Sequence, residues 1–438
     1  MALIIRGRGT TPTEKYLAKL SDRTFLNLWS YPNLFIDKRA RGGEGKELCD
    51  LLVVCGSHVI VFSDKNVAWP TIADAGVAWR RWFSRAVLKS ARQILGAARW
   101  INEFPDRIFL DRECKTPLPL DIPSKEKRKF HGIVVARGAA AACRSYFQGG
   151  SGSLAISPAL RGDDHLRDEA AFQVGDINPG GPFVHVLDEV TLDAVLQELD
   201  TVTDFTSYLE KKERLIRSDH LIGAAGDEDL LAYYLTHVGP DGEHDFTWED
   251  GSLLGNRSLA VAECYGELRA HPQFIAKKKA DEQSYVWDRL IQTFTNHMLA
   301  GTTIVPDDAP PFDLREHERG IRHMALVPRY LRRPYGEAII DVLLKGQRVP
   351  RFTRAIIPKP DEPEGDTGFF FMTLSVPDSA IVDYERYRAV RREMLTVYAG
   401  TFLHRYKHLN RVVGIASEPF PKPGQRHGSS EDLIVAEH

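Results

Sequence analysis

The sequence contains no run of 18 apolar residues, which is about the length that a membrane-spanning helix needs. Its five cysteines are odd in number and scattered, and they form neither a CxxC pair nor a Cys/His spacing typical of zinc sites. Such thiols are typical of a reducing compartment. The apolar N-terminus reaches Arg6 and Arg8 after only a few residues, so it does not resemble a secretory signal. We therefore expect a cytoplasmic protein with no membrane partner.

The short motifs that mark several common enzyme classes are also missing. The chain has no GxSxG, HExxH or GxGxxG motif, and the glycine-rich stretch 149–153 lacks the lysine of a P-loop. We interpret this stretch as a flexible connection.

The length of 438 residues exceeds what one ordinary hydrophobic core organises. Hydrophobic residues make up 43% of the chain and charged residues 27%, which is typical of a folded globular protein. We predict an N-terminal domain followed by one or two further α/β or α+β domains. The expected ranges are a first domain at 1–145, a middle domain of unknown role at 146–355, a C-terminal α/β segment at 364–418 and a disordered tail at 419–438.

The net charge of −3 hides an uneven distribution of charge along the chain. Residues 1–150 contain 25 lysines and arginines against 14 acids, whereas the remainder contains 32 against 46. A basic first third favours a polyanionic partner such as nucleic acid, although charge also varies along chains for no functional reason.

The first third has a clear order of predicted elements. Thr11, Pro12 and Glu14 form a helix start with a capping box, and the helix should end before Pro32. Two apolar β-rich runs then follow, joined by a connection short enough for a hairpin. The predicted order is helix, strand, strand, strand, helix, strand, with strands at 34–37, 48–54, 58–62 and 133–136 and a long helix at about 77–102.

The predicted hairpin gathers polar residues at one end, because its first strand starts where its second strand finishes. The residues expected to cluster there are Glu47, Asp50, Ser63, Asp64 and Lys65. Carboxylates can hold Mg²⁺, and a nearby ammonium can orient a water or neutralise charge that develops on a phosphate. The alternative without a functional role is that these charged residues at strand ends are solvated or belong to a turn.

This arrangement resembles the PD-(D/E)XK nuclease superfamily over about residues 10–137. Asp50 matches the motif aspartate, and Lys65 matches the motif lysine. The resemblance implies a restriction-endonuclease-like αβββαβ domain and a Mg²⁺- or Mn²⁺-dependent DNA endonuclease, of the kind found in bacterial defence or repair. It further implies that Asp50, Glu47 and Asp64 hold the metal, and that Glu14 is an alternative accessory acid. Paired cuts in duplex DNA would favour a homo-oligomer.

The motif departs from the family pattern at two positions. Cys49 replaces the motif proline, and Ser63 stands where an acid normally precedes the lysine by two residues. Asp74, ahead of the next helix, could supply the missing carboxylate, or a β-bulge could turn Asp64 inward. If neither carboxylate replaces the missing acid, the alternative is a catalytically inactive protein that binds or senses nucleic acid on a degenerate nuclease fold.

The long helix after the hairpin carries six basic residues and no acid between Ala75 and Asn102. Four of these basic residues fall on one face at α-helical spacing, namely Arg81, Arg85, Lys89 and Arg92. A basic face without compensating acids is suited to phosphate contacts. Two other interpretations remain open. The basic face is exposed to solvent, or it docks on the acidic later part of the chain. Gln93 lies on the packing side and could approach the site.

Overall fold

The computed structural model describes residues 3–38, 44–247, 257–305, 312–360, 365–376, 383–421 and 430–438. The chain is a mixed α/β protein that divides into two compact units. Unit 1 comprises residues 1–277 and 294–315, and unit 2 comprises residues 278–293 and 316–438. These divisions differ from the predicted boundaries at 145, 355 and 364.

Unit 1 begins with helix α1 (Pro12–Thr24) and the antiparallel strands β1 (Ser30–Ile36), β2 (Lys46–Cys55) and β3 (His58–Asn66). The predicted capping box is present, since Thr11 accepts from the Glu14 amide and Glu14 accepts from the Thr11 amide. The helix is shorter than predicted, because Leu26 takes a left-handed φ of 62°.

The long basic helix is composed of three consecutive pieces. They are α2 (Ala75–Phe83), a π-helical turn (Ser84–Leu88) and α3 (Lys89–Glu103). Strand β4 (Lys129–Arg137) follows and pairs in parallel with β3. The element order predicted for residues 10–137 is therefore the order observed.

The first sheet extends beyond the predicted first domain. Helix α4 (Ala140–Tyr146) precedes β5 (Ala155–Arg161), β6 (Gln173–Asp176) and β7 (Val184–Asp188). Strand β7 pairs in parallel with β4, which gives the five-stranded order β1-β2-β3-β4-β7. A domain boundary at 145 would separate β7 from the sheet to which it belongs.

A second sheet completes the strands of unit 1, in the order β6-β5-β8-β9 with β8 (Leu221–Ala224) and β9 (Leu259–Val261). Residues 191–216 form two helices, α5 (Thr191–Glu198) and α6 (Val202–Ile216), because Thr201 is extended and caps α6 through the Asp204 amide. The next helices along the chain are α7 (Asp227–Thr236), α8 (Cys264–Ala270), α9 (Pro272–Asp281), α10 (Tyr285–Ala300) and α11 (Leu314–Ala325).

Unit 2 contains a four-stranded sheet in the order β10 (Arg351–Ile356), β11 (Thr367–Leu374), β12 (Arg411–Ser417) and β13 (Asp432–Glu437). Helices α12 (Arg329–Lys345) and α13 (Tyr384–Arg405) belong to the same unit. Phe370, Leu395 and Val412 are buried together where α13 covers this sheet.

Strand β13 lies inside the tail that was predicted to be disordered. It pairs antiparallel with β12 from Asp432 to Glu437, so this part of the tail is structured. Residues 422–429 of the predicted tail lie outside the described residues. No helix in the described part of the chain has both the length and the apolar character needed to cross a membrane.

Candidate functional site

Asp50 and Lys65 meet at the open end of the β2–β3 hairpin. The ladder pairs Leu51 with Phe62, which puts Asp50 at the next position along β2. Asp50 Oδ2 accepts a hydrogen bond from the Asp64 backbone amide at 2.6 Å and another from Lys65 Nζ at 3.3 Å. The Asp50 side chain is 1% exposed and that of Lys65 is 31% exposed, so the carboxylate is buried under an ammonium that reaches solvent.

Ser63 and Gln93 lie on the α3 side of the sheet. Ser63 alternates with Asp64 along β3, so it shares a face with Lys65. The Ser63 hydroxyl donates to Gln93 Oε1 at 3.1 Å. Gly132 on β4 makes the close approach of α3 feasible, because a Cβ there would lie 2.5 Å from Ile94 Cγ2. Gln93 therefore does approach the site from the packing side of the helix.

Both proposed substitutes for the missing acid make contacts with residues other than Ser63. Asp64 forms a buried ion pair with Arg137, with 3.0 Å between Asp64 Oδ1 and Arg137 Nε. Asp74 accepts from the Val77 amide at 2.8 Å and is the N-cap of α2. The carboxylates of Asp64 and Asp74 are thus used in structural contacts, and Gln93 is the polar partner of Ser63 instead.

Two further acids are brought together by Asn33. Its amide nitrogen donates to Glu14 Oε2 at 3.0 Å and to Glu47 Oε1 at 3.1 Å. The register of β1 and β2 shifts between Leu34 and Phe35, which locally breaks the alternation of side chains near Glu47. Asn33 itself has a left-handed φ of 52°, a conformation that asparagine tolerates better than most residues.

These acids form one electrostatic group with Asp50. Burial raises the pKa of Asp50, which the charge of Lys65 opposes and the charge of Glu14 reinforces. Burial also raises the pKa of Glu47, opposed by the Asn33 hydrogen bond and reinforced by Asp50 and Glu14. Burial raises the pKa of Asp64, and Arg137 opposes that rise. The carboxylates therefore exceed the positive charge that Lys65 and Arg137 supply.

Glu14 differs from its neighbours in the direction of its shift. Burial alone would raise its pKa, but the hydrogen bonds from Asn33 and from the amides of Thr10 and Thr11 outweigh burial. The net pKa is lowered, so Glu14 favours the ionised form that accepts those bonds.

Each of the three acids leaves one carboxylate oxygen outside these contacts. Asp50 is held through Oδ2, Glu47 through Oε1 and Glu14 through Oε2. The second oxygen of each acid makes none of these hydrogen bonds. Oxygen ligands of this kind, combined with waters, are what Mg²⁺ and Mn²⁺ prefer, so the donor chemistry suits such an ion, although the three acids would have to move closer together to share it.

A groove of about 640 Å³ opens beside this cluster and is lined by both Glu47 and Gln93. Its other polar lining is mainly basic, and the cations are Lys38, Lys46, Lys89, Arg92 and Arg99. The groove therefore has five cations against two acids, Glu47 and Glu103, and Glu47 connects it to the carboxylate cluster.

The predicted basic face of the helix is divided between two regions. Lys89 and Arg92 line the groove, whereas Arg81 and Arg85 are exposed but are not part of its lining. The π-helical turn, which contains Arg85 and ends just before Lys89, inserts an extra residue into the helix, which rotates the residues of α3 by about 100° relative to a regular helix. The sequence spacing assumed a regular helix and so placed all four on one stripe.

Several residues of the site were not found from the sequence. The contributing residues that were not assigned to the site from the sequence are Asn33, Arg137, Lys38, Lys46 and Arg99. The sequence did contain one local signal, because an asparagine directly after Pro32 is typical of a turn, and Asn33 indeed adopts a left-handed φ.

No family model, curated protein or solved structure matches this chain.

Proposed function

We propose that this chain is a nuclease that uses Mg²⁺ or Mn²⁺ to hydrolyse phosphodiester bonds of DNA. The observation that carries the proposal is the ion pair of Asp50 and Lys65, 3.3 Å apart, in an electrostatic group whose member Glu47 lines a basic groove. The element order of residues 10–137 and the resemblance to PD-(D/E)XK nucleases support the same proposal.

The roles of the side chains follow from their contacts. Asp50, Glu47 and Glu14 would hold the ion through their second oxygens. When bound, Mg²⁺ supplies charge neutralisation at the phosphate and a water of lowered pKa. Lys65 is held next to Asp50 by their ion pair, and its ammonium stabilises negative charge on the phosphate as the attacking water adds. Gln93 fixes the orientation of Ser63 at the position where family members carry an acid.

In this proposal the polynucleotide lies in the groove. Lysines and arginines that line it neutralise backbone phosphates, which orients the strand without reading its sequence. Binding should therefore weaken strongly as the salt concentration rises.

The test is incubation of the purified full-length protein with supercoiled, linear and single-stranded DNA and with RNA, with and without Mg²⁺ or Mn²⁺. Cleavage of DNA that requires the metal, and that is lost in Asp50→Asn, supports the proposal. Asp74→Ser is the matched control, because serine keeps the helix cap while removing a carboxylate outside the pocket. Absence of metal-dependent cleavage of every substrate would overturn the proposal.

A second function is favoured by one specific observation. Ser63 replaces the motif acid, and the carboxylates of Asp64 and Asp74 are used in other contacts. A protein with this arrangement could bind nucleic acid in the same groove without cutting it. Salt-sensitive DNA binding with no cleavage in either metal would select this function.

A further inference from the structure

A second group of potential metal ligands lies at the opposite end of β3. It consists of His58 at the start of β3, His131 on β4 and Glu210 on α6. The strand register pairs Ile60 with His131, so both histidines lie on the same face of the sheet. His58 and Lys65 are seven residues apart on one strand, which separates the two groups by about 23 Å.

The three side chains converge on one point. His58 Nδ1 lies 3.1 Å from His131 Nε2, and Glu210 Oε1 lies 4.0 Å from the first nitrogen and 3.9 Å from the second. Zinc bonds of about 2.0–2.2 Å in a tetrahedral site hold neighbouring ligand atoms about 3.3–3.5 Å apart. Movements of less than about 1 Å would bring all three atoms to that spacing.

Glu210 Oε1 is an oxygen that the fold buries without a hydrogen bond. The ammonium of Lys129 lies 3.1 Å from it but directs its hydrogen bond to Oε2 at 3.2 Å. Lys129 is 53% exposed, so it can move into solvent when another cation takes its place. The Glu210 side chain is 40% exposed as a whole, but its Oε1 is covered and faces two imidazole nitrogens, an arrangement that a metal ion would satisfy.

Burial acts on the pKa of the two imidazoles in the same direction. Burial lowers the pKa of His58 to about 4, with Glu210 opposing and Lys129 adding to the fall. Burial lowers the pKa of His131 to about 3, with His58 and Lys129 adding to the fall. His58 and His131 form a hydrogen bond through the two nitrogens that face Glu210, so binding of an ion between them needs a change of tautomer that moves the shared proton away.

We propose that His58, His131 and Glu210 bind one divalent transition-metal ion, with Zn²⁺ as the preferred ion and a fourth position open to water. Two imidazoles select zinc, cobalt, nickel or copper over Mg²⁺, whereas the Asp50 group offers only oxygen. The ion joins β3, β4 and α6 and so fastens a helix to the sheet. This site is independent of the proposed nuclease activity.

The test is a titration of chelator-treated full-length protein with Zn²⁺ against a coloured competing chelator, in excess Mg²⁺. We expect one Zn²⁺ per chain that Mg²⁺ does not displace, and a Co²⁺ form with the intense visible bands of tetrahedral coordination. His58→Gln and Glu210→Gln should each weaken binding at least about tenfold. His404→Gln and Glu213→Gln are the matched controls, and both should bind as the unmodified protein does.

If a variant of one of the three ligands misfolds, a variant that is expected to increase the affinity for Zn²⁺ still tests the proposal. Lys129→Gln leaves all three ligands in place and removes the competing ammonium, so it should bind Zn²⁺ several-fold more tightly. Absence of stoichiometric binding would overturn the proposal. Binding that is equal in His58→Gln and in the control variants would overturn it too, because the metal would then lie elsewhere.

Discussion

At the scale of single residues, the candidate site is a set of carboxylates that the fold holds together against their own repulsion. Burial raises the pKa of both Asp50 and Glu47, and neighbouring acids of the group add to each rise. Such an arrangement costs folding free energy when no cation is bound, which is common where function and stability compete.

The first prediction concerns the stability of Asp50→Asn. Because the folded-state pKa of Asp50 is raised, the folded protein retains the proton that the unfolded chain has lost, so stability falls as pH rises from the ordinary value through the raised one. Above that window the ionised carboxylate is destabilising. The uncharged variant should therefore melt at a higher temperature than the unmodified protein at pH 7 without metal.

Calorimetric melting in chelator, followed by melting in excess Mg²⁺, measures this effect. Mg²⁺ should raise the melting temperature of the unmodified protein more than that of Asp50→Asn. A variant that melts lower than the unmodified protein in chelator would contradict the electrostatic description of the pocket.

The second prediction separates catalysis from binding by comparing two lysines. Lys65→Met removes the ammonium beside Asp50 and should lower kcat about 100- to 1,000-fold with little change in the Kd for DNA. Lys46→Met removes a groove cation outside that ion pair and should weaken binding while leaving kcat nearly unchanged. Single-turnover cleavage and equilibrium binding are the two measurements. Equal losses of kcat in both variants would argue against a catalytic role for Lys65.

Only part of the site could be predicted at the residue scale. The convergence of Asp50 and Lys65 follows from hairpin geometry, so the sequence alone indicates it. The partners of the remaining acids depend on contacts between distant segments. Asn33 joins Glu14 to Glu47 beside a register shift, and Arg137 binds Asp64 from 73 residues away. No local pattern contains that information.

At the scale of helices and strands, the sequence predicted correctly those features that depend on residues close together in the chain. The capping box of α1 and the β2–β3 hairpin formed as predicted, because both depend on neighbouring residues. The π-helical turn was not predicted, since sequence spacing interpreted with a regular period cannot reveal an inserted residue. That turn decides which basic residues face the groove.

The third prediction compares two pairs of basic residues on this helix. Lys89→Gln with Arg92→Gln removes two groove cations, whereas Arg81→Gln with Arg85→Gln removes two charges outside the groove lining. The first pair should weaken DNA binding more and reduce the slope of log K against log salt by about 2. The second pair should leave the slope nearly unchanged.

Fluorescence anisotropy of labelled DNA over a series of salt concentrations measures both slopes. Equal slopes for the two double variants would mean that the regular-helix stripe, and not the groove, binds DNA.

At the scale of the whole molecule, the two compact units are each built from two separate segments of the chain. The chain leaves unit 1 after residue 277 and contributes residues 294–315 to it again. Strand β7 joins the first sheet, and β13 completes the sheet of unit 2 from within a segment of turn-forming composition. Long-range strand pairing of this kind leaves no mark in local composition, so the mixed α/β class was predictable from the sequence and this pairing was not.

The measurement that tests the central claim most directly is the rate of plasmid cleavage as a function of Mg²⁺ concentration, for the unmodified protein and Asp50→Asn side by side. We predict a saturable rate that a chelator abolishes for the unmodified protein, and a rate at least about 100-fold lower for the variant, since several kcal/mol of charge stabilisation are lost. Equal rates in the two proteins, or cleavage that persists without a divalent ion, would contradict a catalytic cation pocket at Asp50 and Lys65.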